Sequence, residues 1–271
     1  MASSVGNLVE FTGVDGTDDA SWFIRFMDVA NAHPEYRDID LALIRAMGGV
    51  SGKTVLDAAC GTGDDAREIG RQVGGSGRVV GIDLSAAMVA EARRRSAGSP
   101  WPVEFATGDI RKLDFPDASF DAVRVKLVRQ HCDDLDAADA ELIRVTRPGG
   151  RIAVFDFDFE AMLVDHPDRA TTREILHSWT DEFEHGWTGR QAAGRLRQRG
   201  LTDVTITPVT VQWPYDFFRM SLVGPLARAQ ASGALRLSEE QLRQWWEPLA
   251  RAEEQGRFFC AQTGFVVGAT R

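Results

Sequence analysis

Cysteine is scarce in this chain. The 271 residues include only three cysteines, Cys60, Cys132 and Cys260, which are odd in number and widely separated. Such a set predicts neither a disulfide framework nor a cysteine-based metal cluster, because both need cysteines in pairs or at short, regular spacings. We therefore expect no bound metal.

Positive charge and a leader segment are lacking as well. There are 31 Lys and Arg against 40 Asp and Glu, which gives a net charge of −9. A chain this acidic is not expected to attract nucleic acid or an anionic membrane surface. Residues 1–7 contain neither a basic region nor an apolar run, so no signal peptide is predicted and a cytoplasmic location is the expectation.

Strand and helix patterns alternate along most of the chain, and no repeat or low-complexity tract occurs. Strands are predicted at residues 54–58, 78–83, 102–107, 120–126, 150–157 and 203–211. Helices are predicted at residues 64–73, 85–96, 135–146 and 189–199. This order predicts an α/β protein with a doubly wound, Rossmann-like, mostly parallel sheet.

A glycine-containing turn follows the first predicted strand. Val55 and Leu56 suit a buried parallel strand, and Gly61 and Gly63 allow the backbone to turn tightly against a ligand before a helix starts near residue 64. Asp83 ends the next strand, where a carboxylate can accept hydrogen bonds from both hydroxyls of a ribose. The sequence therefore predicts a site for an adenosine-containing cofactor.

The same turn also fits the dinucleotide pattern G-x-G-x-x-G/A, so the pattern alone does not separate NAD from S-adenosylmethionine. Three acids, Asp57, Asp64 and Asp65, lie at this turn with no Lys or Arg among residues 57–65. They would repel a diphosphate and attract the sulfonium and ammonium groups of S-adenosylmethionine. Alternatively, Asp64 and Asp65 only stabilise the amino terminus of the following helix.

A third strand ends in Gly108-Asp109-Ile110, where an acid can accept from an adenine amino group. With it, the chain resembles the class I S-adenosylmethionine-dependent methyltransferases, small-molecule methyltransferases of natural-product and quinone biosynthesis in particular. The matching motifs, in family order, are V-L-D-x-x-C-G-T-G, G-I-D-x-S, G-D-I, S-F-D-A-V and R-P-G-G-R, within residues 50–160. The resemblance implies S-adenosylmethionine as cofactor and S-adenosylhomocysteine as product.

The resemblance also implies which residues bind the cofactor. Asp57 and the two glycines would line its methionine side, Asp83 would hold the ribose, and Asp109 would contact the adenine. The full predicted set is Asp57, Ala59, Gly61, Gly63, Asp83, Leu84, Met88, Gly108, Asp109, Ile110 and Lys126. Ala59 departs from the family, which usually has glycine there.

His131 and Asp156 are the predicted catalytic residues. His131 follows the fourth strand and has an ordinary pKa near 6.5, so it could take a proton from a hydroxyl or amine of the acceptor. Asp156, at the end of the fifth strand, could orient this imidazole or take the proton itself. Related enzymes often carry a His-His pair here, and this chain has Gln130 in place of the first histidine. Alternatively, His131 caps the following helix or is only structural.

Three segments outside the repeating core are predicted to cover the ligand crevice: lid helices at residues 19–46 and cap insertions at residues 158–190 and 212–256. They hold six of the seven tryptophans, Trp101 being the exception. We expect residues 1–18 to be a flexible extension and residues 19–271 to be a single domain. By resemblance, a last strand at residues 258–269 would complete a seven-stranded sheet, antiparallel near its edge.

These features predict methyl transfer to oxygen, nitrogen or carbon of a small, largely apolar metabolite of secondary metabolism. One alternative keeps the cofactor for a non-methylating reaction, such as a rearrangement or cyclisation. An NAD-dependent dehydrogenase and a non-catalytic binding subunit are further alternatives. The expected partner is a small-molecule acceptor, with no nucleic acid or membrane partner, and the chain is expected to be a monomer or homodimer.

Overall fold

A seven-stranded sheet organises the protein, seen here in a computed structural model that describes residues 8–17 and 20–271. The strands are β1 (Thr54–Ala58), β2 (Arg78–Asp83), β3 (Val103–Thr107), β4 (Phe120–Lys126), β5 (Thr146–Val164), β6 (Thr202–Gln212) and β7 (Cys260–Thr270). Their order across the sheet is β3-β2-β1-β4-β5-β7-β6. The first five are parallel, and β7 runs antiparallel between β5 and β6. The predicted fold class and the antiparallel last strand are confirmed.

Nine α-helices of the described residues flank this sheet. They are α1 (Ala20–Ala32), α2 (Pro34–Ala46), α3 (Asp64–Val73), α4 (Ala86–Ser96), α5 (Leu135–Val145), α6 (Arg169–Asp181), α7 (Thr188–Gln198), α8 (Tyr215–Ser232) and α9 (Glu239–Glu254). Strand β1 lies inside the sheet between β2 and β4, and Val55 to Ala58 are all buried. Burial of consecutive residues is typical of a parallel strand covered on both faces. None of the helices in the described ranges is long and apolar enough to cross a membrane.

The fifth strand is longer than predicted. It continues past residue 157 to Val164, because β7 keeps pairing with it after an irregular stretch between Phe157 and Met162. The segment expected as an insertion at residues 158–190 therefore contains the end of β5, all of α6 and the first turn of α7. The other insertion, at residues 212–256, forms α8 and α9.

The amino-terminal part packs on the rest of the protein, with α2 against β5, β6 and β7. Residues 19–46, expected as lid helices, contain α1 and α2, and Pro34 begins α2. Leu8–Gly16 forms a 3₁₀ segment, which differs from the flexible extension expected for residues 1–18. This segment is held because Asp15 accepts hydrogen bonds from the backbone N–H groups of Ala86 (2.7 Å) and Ala87 (3.2 Å) at the start of α4. Residues 1–7, 18 and 19 lie outside the described residues.

Candidate active site

A cavity of about 450 Å³ lies beyond the carboxyl ends of β1, β2, β3 and β4. One end, the glycine end, is lined by the turns after β1, β2 and β3, including Ala59, Gly61, Asp83 and Gly108. Another part of the wall, called here the aromatic end, is lined by Phe26, Phe157, Phe159, Phe183, Trp213 and Phe217. In open α/β sheets, ligands bind beyond the carboxyl ends of the strands at the point where strand order reverses, which here lies between β1 and β4.

The turn after β1 makes space for a ligand through its backbone. Gly61 and Gly63 have φ angles of 52° and 76°, in the left-handed region that glycine adopts without strain. A Cβ atom on Gly61 would lie 2.3 Å from Cε of Met27 on α1, so α1 packs directly on the turn. Ala59 also has a positive φ, 63°. This conformation explains why related chains carry glycine there, and Ala59 adopts it while lining the cavity.

Asp83, at the end of β2, combines structural bonds with exposure to the cavity. One carboxylate oxygen accepts from the Gly61 N–H (2.8 Å) and the other from the Ser85 N–H (3.0 Å). Burial raises the pKa of Asp83. Because each carboxylate oxygen can accept more than one hydrogen bond, the group can still accept from two hydroxyls. Leu84 and Met88, predicted to flank the adenine, line the same end.

The turn after β3 also lies at the glycine end, where Gly108, Asp109 and Ile110 line the cavity. The Asp109 carboxylate already accepts from the Arg111 side chain, with Nη2 at 2.6 Å and Nε at 2.9 Å. These hydrogen bonds from Arg111 lower the pKa of Asp109. An adenine amino group there would share Asp109 with Arg111.

Asp57 is not on the cavity wall. It is completely buried, and one carboxylate oxygen accepts from Nη1 of Arg124 (2.7 Å) on the neighbouring strand. The other oxygen has no partner among the described residues. Burial raises the pKa of Asp57, against the attraction of Arg124. The expected direct contact with the methionine side is therefore not what the structure shows, because the side chain is taken up by Arg124.

The other acids of the turn are paired too. Asp65 binds Arg124 and Lys126 (both 2.6 Å), and these cations hold its pKa below the usual range although burial opposes them. Asp40 of α2 joins the cluster through Lys126 (2.8 Å). Lys126, predicted to contact the cofactor, thus lines the cavity within an ion-pair cluster.

Asp64 lies outside this cluster but is neutralised in the same way, by Arg67 and by Arg95 at 3.7 Å. The expectation that the acids of the turn leave an uncompensated negative field is therefore wrong. The cations come from β4, from α3 and from the end of α4, and only Arg67 is close in sequence. Three carboxylates and two cations remain in the cluster of Asp40, Asp57, Asp65, Arg124 and Lys126, so its formal charge is −1.

His131 lines the cavity on a single 3₁₀ turn, Arg129–His131, after β4. The centroid of its ring lies 5.9 Å from that of Phe11 and 5.9 Å from that of Phe183. Burial lowers the pKa of His131 to about 4, so the ring is neutral at pH 7. The following helix is capped by Asp134, which accepts from the Ala137 N–H (2.9 Å), and not by His131.

Asp156 does not reach the cavity. Side chains alternate across a strand, and its neighbours Phe155 and Phe157 pack toward α1, α2 and α8 while Asp156 faces the opposite side. There its carboxylate lies 3.5 Å from Nη1 of Arg129, and both groups are completely buried. Burial raises the pKa of Asp156 to about 7. The prediction that Asp156 orients His131 is corrected by this alternation.

Sequence reasoning missed two polar atoms of the aromatic end. Trp213 and Gln130 line the cavity and are only 5% and 4% exposed. The indole Nε1 of Trp213 and the amide Oε1 of Gln130 have no hydrogen-bond partner among the described residues. Gln130 was noticeable in the sequence as a departure from the family, but no local pattern distinguishes Trp213 from the other tryptophans of the cap.

Comparisons with known proteins identify a methyltransferase domain in this chain. Residues 55–150 match the family Methyltransf_25, a methyltransferase domain. An uncharacterized 37.1 kDa protein in transposon TN4556 of Streptomyces fradiae is 33% identical over 255 residues, which are 91% of this chain and 70% of that protein. The 2-phytyl-1,4-naphtoquinone methyltransferase of Thermosynechococcus vestitus is 41% identical over 155 residues, which are 52% of this chain and 65% of that enzyme.

A solved structure shows the same fold. It is phosphoethanolamine N-methyltransferase 2 of Haemonchus contortus in complex with S-adenosyl-L-methionine, with a TM-score of 0.55 and 19% identity. The match covers 86% of this chain and 52% of that one. The glycine turn, the strand-end acid Asp83 and these relatives lead to one conclusion: the chain belongs to the class I S-adenosylmethionine-dependent methyltransferases, and S-adenosylmethionine is its cofactor.

Proposed function

We propose that this enzyme methylates a small, flat aromatic acceptor that carries ring oxygens, of the quinone or quinol type. The observation that carries the proposal is the aromatic end itself, where apolar rings surround two unpaired polar atoms. A buried donor or acceptor without a partner costs roughly 1–3 kcal/mol, so these atoms favour a ligand that satisfies them. Both atoms are closed off in this structure, so a ring oxygen would accept from Trp213 Nε1 and a hydroxyl would donate to Gln130 Oε1 once small side-chain rotations open them to the cavity.

The geometry of the aromatic rings supports a flat ligand. Phe217 lies edge-on to Trp213, with ring centroids 4.8 Å apart, and its ring centroid is 5.3 Å from that of Phe26. Phe183 and Phe159 are tilted against each other at 3.9 Å. Ring faces and edges from α1, β5 and the cap segments therefore converge on one space, where aromatic pairing adds to the burial of apolar surface. A charged, hydrophilic acceptor would lose its hydration there without compensation.

We further propose that the cofactor occupies the glycine end, with the ribose on Asp83 and the adenine between Leu84, Met88 and Ile110. Its sulfonium methyl group would then face the aromatic end. S-adenosylmethionine supplies a methyl group that leaves a positively charged sulfur, and S-adenosylhomocysteine remains. The protein aligns the two ligands and excludes water between them, which for a direct displacement can supply most of the acceleration.

The similarity to the 2-phytyl-1,4-naphtoquinone methyltransferase adds support for a quinone-type acceptor. That similarity covers 52% of this chain. The aromatic lining of the cavity remains the main support for a flat aromatic acceptor.

The test is release of S-adenosylhomocysteine from S-adenosylmethionine in the presence of candidate acceptors. We expect release with a substituted naphthoquinol and with other flat, oxygen-bearing aromatics. We expect none with phosphoethanolamine, a charged acceptor whose methylation would release the same product. Calorimetric titration with S-adenosylmethionine verifies that the enzyme binds its cofactor. Release with phosphoethanolamine and with none of the aromatic acceptors would contradict the proposal.

A further inference from the structure

Gln130 lies between a backbone carbonyl and the ring of His131. Its amide nitrogen Nε2 is 3.0 Å from the carbonyl oxygen of Leu127 and 3.2 Å from Nε2 of His131. The side chain is almost completely buried, so water does not compete for these two contacts. These two contacts determine which ring nitrogen of the neutral imidazole carries the proton.

The carbonyl of Leu127 decides which way the Gln130 amide points. A carbonyl oxygen only accepts, so the atom 3.0 Å from it must be the NH₂ group of the amide. The flipped amide would place two oxygens at that distance, which is repulsive. Amide orientations are assigned from such contacts, and here a single backbone carbonyl is sufficient to assign it.

The amide orientation in turn decides the tautomer of His131. An amide NH₂ group has two hydrogens and no lone pair to offer, so it can only donate to Nε2 of the ring. Nε2 must therefore be unprotonated, and the proton of the neutral imidazole lies on Nδ1. Nδ1 has no hydrogen-bond partner among the described residues, and the side chain lines the cavity.

The backbone conformation of Leu127 fixes the position of the carbonyl that Gln130 contacts. It has a φ angle of 56°, a left-handed conformation that is rare outside glycine and typically costs about 1–3 kcal/mol. Its own N–H donates to the carbonyl of Phe155 (2.8 Å), which ties the end of β4 to β5. The strained residue turns the chain out of the sheet and aims its carbonyl at Gln130. Strain of this kind is frequent at functional sites.

We propose that Gln130 holds His131 as the Nδ1–H tautomer, so that His131 donates a hydrogen bond to an oxygen of the acceptor and does not take a proton from it. Gln130 is a positioning residue for His131. Together with Trp213 Nε1, the aromatic end then presents two donors, which suit a carbonyl or phenolate oxygen. The chemical class of the acceptor rests on the proposed function, whereas the tautomer does not.

This assignment replaces the proton-accepting role expected for His131. To accept a proton on Nδ1, the ring would need the Nε2–H tautomer, and two N–H groups would then face each other 3.2 Å apart. An acceptor that binds as its anion, having lost its proton to water, needs no base in the cavity. A donor at Nδ1 stabilises the negative oxygen of such an anion.

The test measures the tautomer directly, by two-bond proton–nitrogen NMR correlations of protein labelled with [¹⁵N]histidine at pH 7.5, with S-adenosylhomocysteine and no acceptor. The chain has five histidines, and loss of one spin system in His131→Asn assigns the signal. We expect the Nδ1–H pattern in the wild type. In Gln130→Leu we expect at least half of that population to move to Nε2–H. An Nε2–H pattern in the wild type, or an unchanged pattern in Gln130→Leu, would overturn the proposal.

A second variant keeps the test valid if Gln130→Leu folds poorly. Gln130→Glu has the same size but offers only acceptor atoms, so it should move His131 to Nε2–H. The matched control is Gln191→Leu on the exposed face of α7, which should leave the pattern unchanged. Affinity for S-adenosylmethionine and thermal unfolding are measured for every variant to show that it is folded.

A kinetic arm separates this proposal from the proposed function. With any acceptor that supports turnover, Gln130→Glu should lower kcat/KM about tenfold, the loss expected for one hydrogen bond to a charged oxygen. A higher turnover in Gln130→Glu would show that His131 works as a base and would overturn the proposal. Absence of turnover with every aromatic acceptor would contradict the proposed function alone, because the NMR result needs no acceptor.

Discussion

The two ends of the cavity are built in different ways. The glycine end comes from three turns between Ala59 and Arg111, each following a parallel strand, and its shape depends on backbone angles at Gly61, Gly63 and Ala59. The aromatic end gathers side chains from Phe26 on α1 to Phe217 on α8. A backbone turn is determined by a few neighbouring residues, whereas a side-chain cavity needs the whole fold. The difference explains why the glycine end was predicted residue by residue, whereas for the aromatic end only the contributing segments were predicted.

The largest expected effect is at the glycine end. Asp83→Ala should weaken S-adenosylmethionine binding about 100-fold, because it removes an acceptor of two hydrogen bonds, each worth roughly 1.5–3 kcal/mol when one partner is charged, less the competition of water. Isothermal titration calorimetry measures the Kd. Asp114→Ala, an exposed acid away from the cavity, is the control and should bind normally.

Asp83 also accepts from the Gly61 and Ser85 N–H groups, so Asp83→Ala changes the turn as well as the ribose contact. Asp83→Asn keeps one carbonyl oxygen and should fall between the wild type and Asp83→Ala. Unchanged affinity in both variants would remove Asp83 from the cofactor site.

The second prediction addresses the aromatic end. Trp213→Phe keeps an aromatic ring but loses the unpaired Nε1 donor, so KM for an oxygen-bearing acceptor should rise about tenfold, the effect of one lost hydrogen bond to a ligand. The Kd for S-adenosylmethionine should stay the same, since Trp213 lies at the other end. Steady-state kinetics at saturating cofactor measure KM. Trp187→Phe is the control, since Trp187 is exposed and does not line the cavity; equal changes in the two variants would contradict a specific role for Trp213.

The third prediction separates Asp156 from the aromatic end. Its pKa is raised to about 7, so between its unfolded value near 3.9 and 7 the folded protein holds a proton that the unfolded chain releases. The contribution of Asp156 to the free energy of unfolding is therefore fully present below pH 4 and is lost as the pH rises through 7. From pH 6 to 8.5 the wild type should lose about 1 kcal/mol more free energy of unfolding than Asp156→Asn does.

Urea unfolding at the two pH values measures this difference. The pKa of His131 is lowered to about 4, so its contribution has the opposite sign and is lost as the pH falls below 6.5. Both proteins retain His131, so its contribution cancels. KM for the acceptor should not change in Asp156→Asn, since Asp156 does not line the cavity. If Asp156→Asn raised KM for the acceptor and left the pH dependence of the free energy of unfolding unchanged, Asp156 would have to be part of the site.

The smallest effect is expected for Asp64→Asn. Arg67 and Arg95 neutralise this acid, and partly exposed ion pairs are worth at most about 1 kcal/mol, so the Kd for S-adenosylmethionine should change less than about threefold. Titrations at low and at moderate salt measure it. A tenfold loss of affinity would show that the acids of the turn act on the cofactor by charge, as the sequence alone suggested.

The elements that depend on local sequence patterns were predictable, and those that depend on contacts between distant residues were not. Strand β1 and helix α3 were predicted to the residue, because a short apolar run and a glycine turn are local patterns. The continuation of β5 to Val164 was not predicted, since it depends on pairing with β7 about a hundred residues later. Helix α6 was not predicted, since residues 158–190 were expected only as a cap insertion. The helix is buried by contacts with α8 and β5.

The residues of the candidate site show the same difference between local and long-range determinants. Asp83, Gly108 and Ile110 follow strands and were placed on the cavity wall by their position in the motif. Asp57 lies near the end of β1 and Asp156 lies inside the longer β5, and both form buried ion pairs, with Arg124 and Arg129 from elsewhere in the chain. Position along a strand predicts where a Cα atom lies, and it does not predict which charge pairs with the side chain.

The sequence by itself determined the glycine end, because φ angles at glycines and the ends of parallel strands are properties of short segments. Only the tertiary structure decided the rest. It paired the acids of the turn with Arg124, Lys126, Arg67 and Arg95, turned Asp156 away from the cavity and set Gln130 between Leu127 and His131. Charge compensation and the tautomer of a histidine depend on atoms within a few ångströms in space, and most of these come from distant parts of the chain.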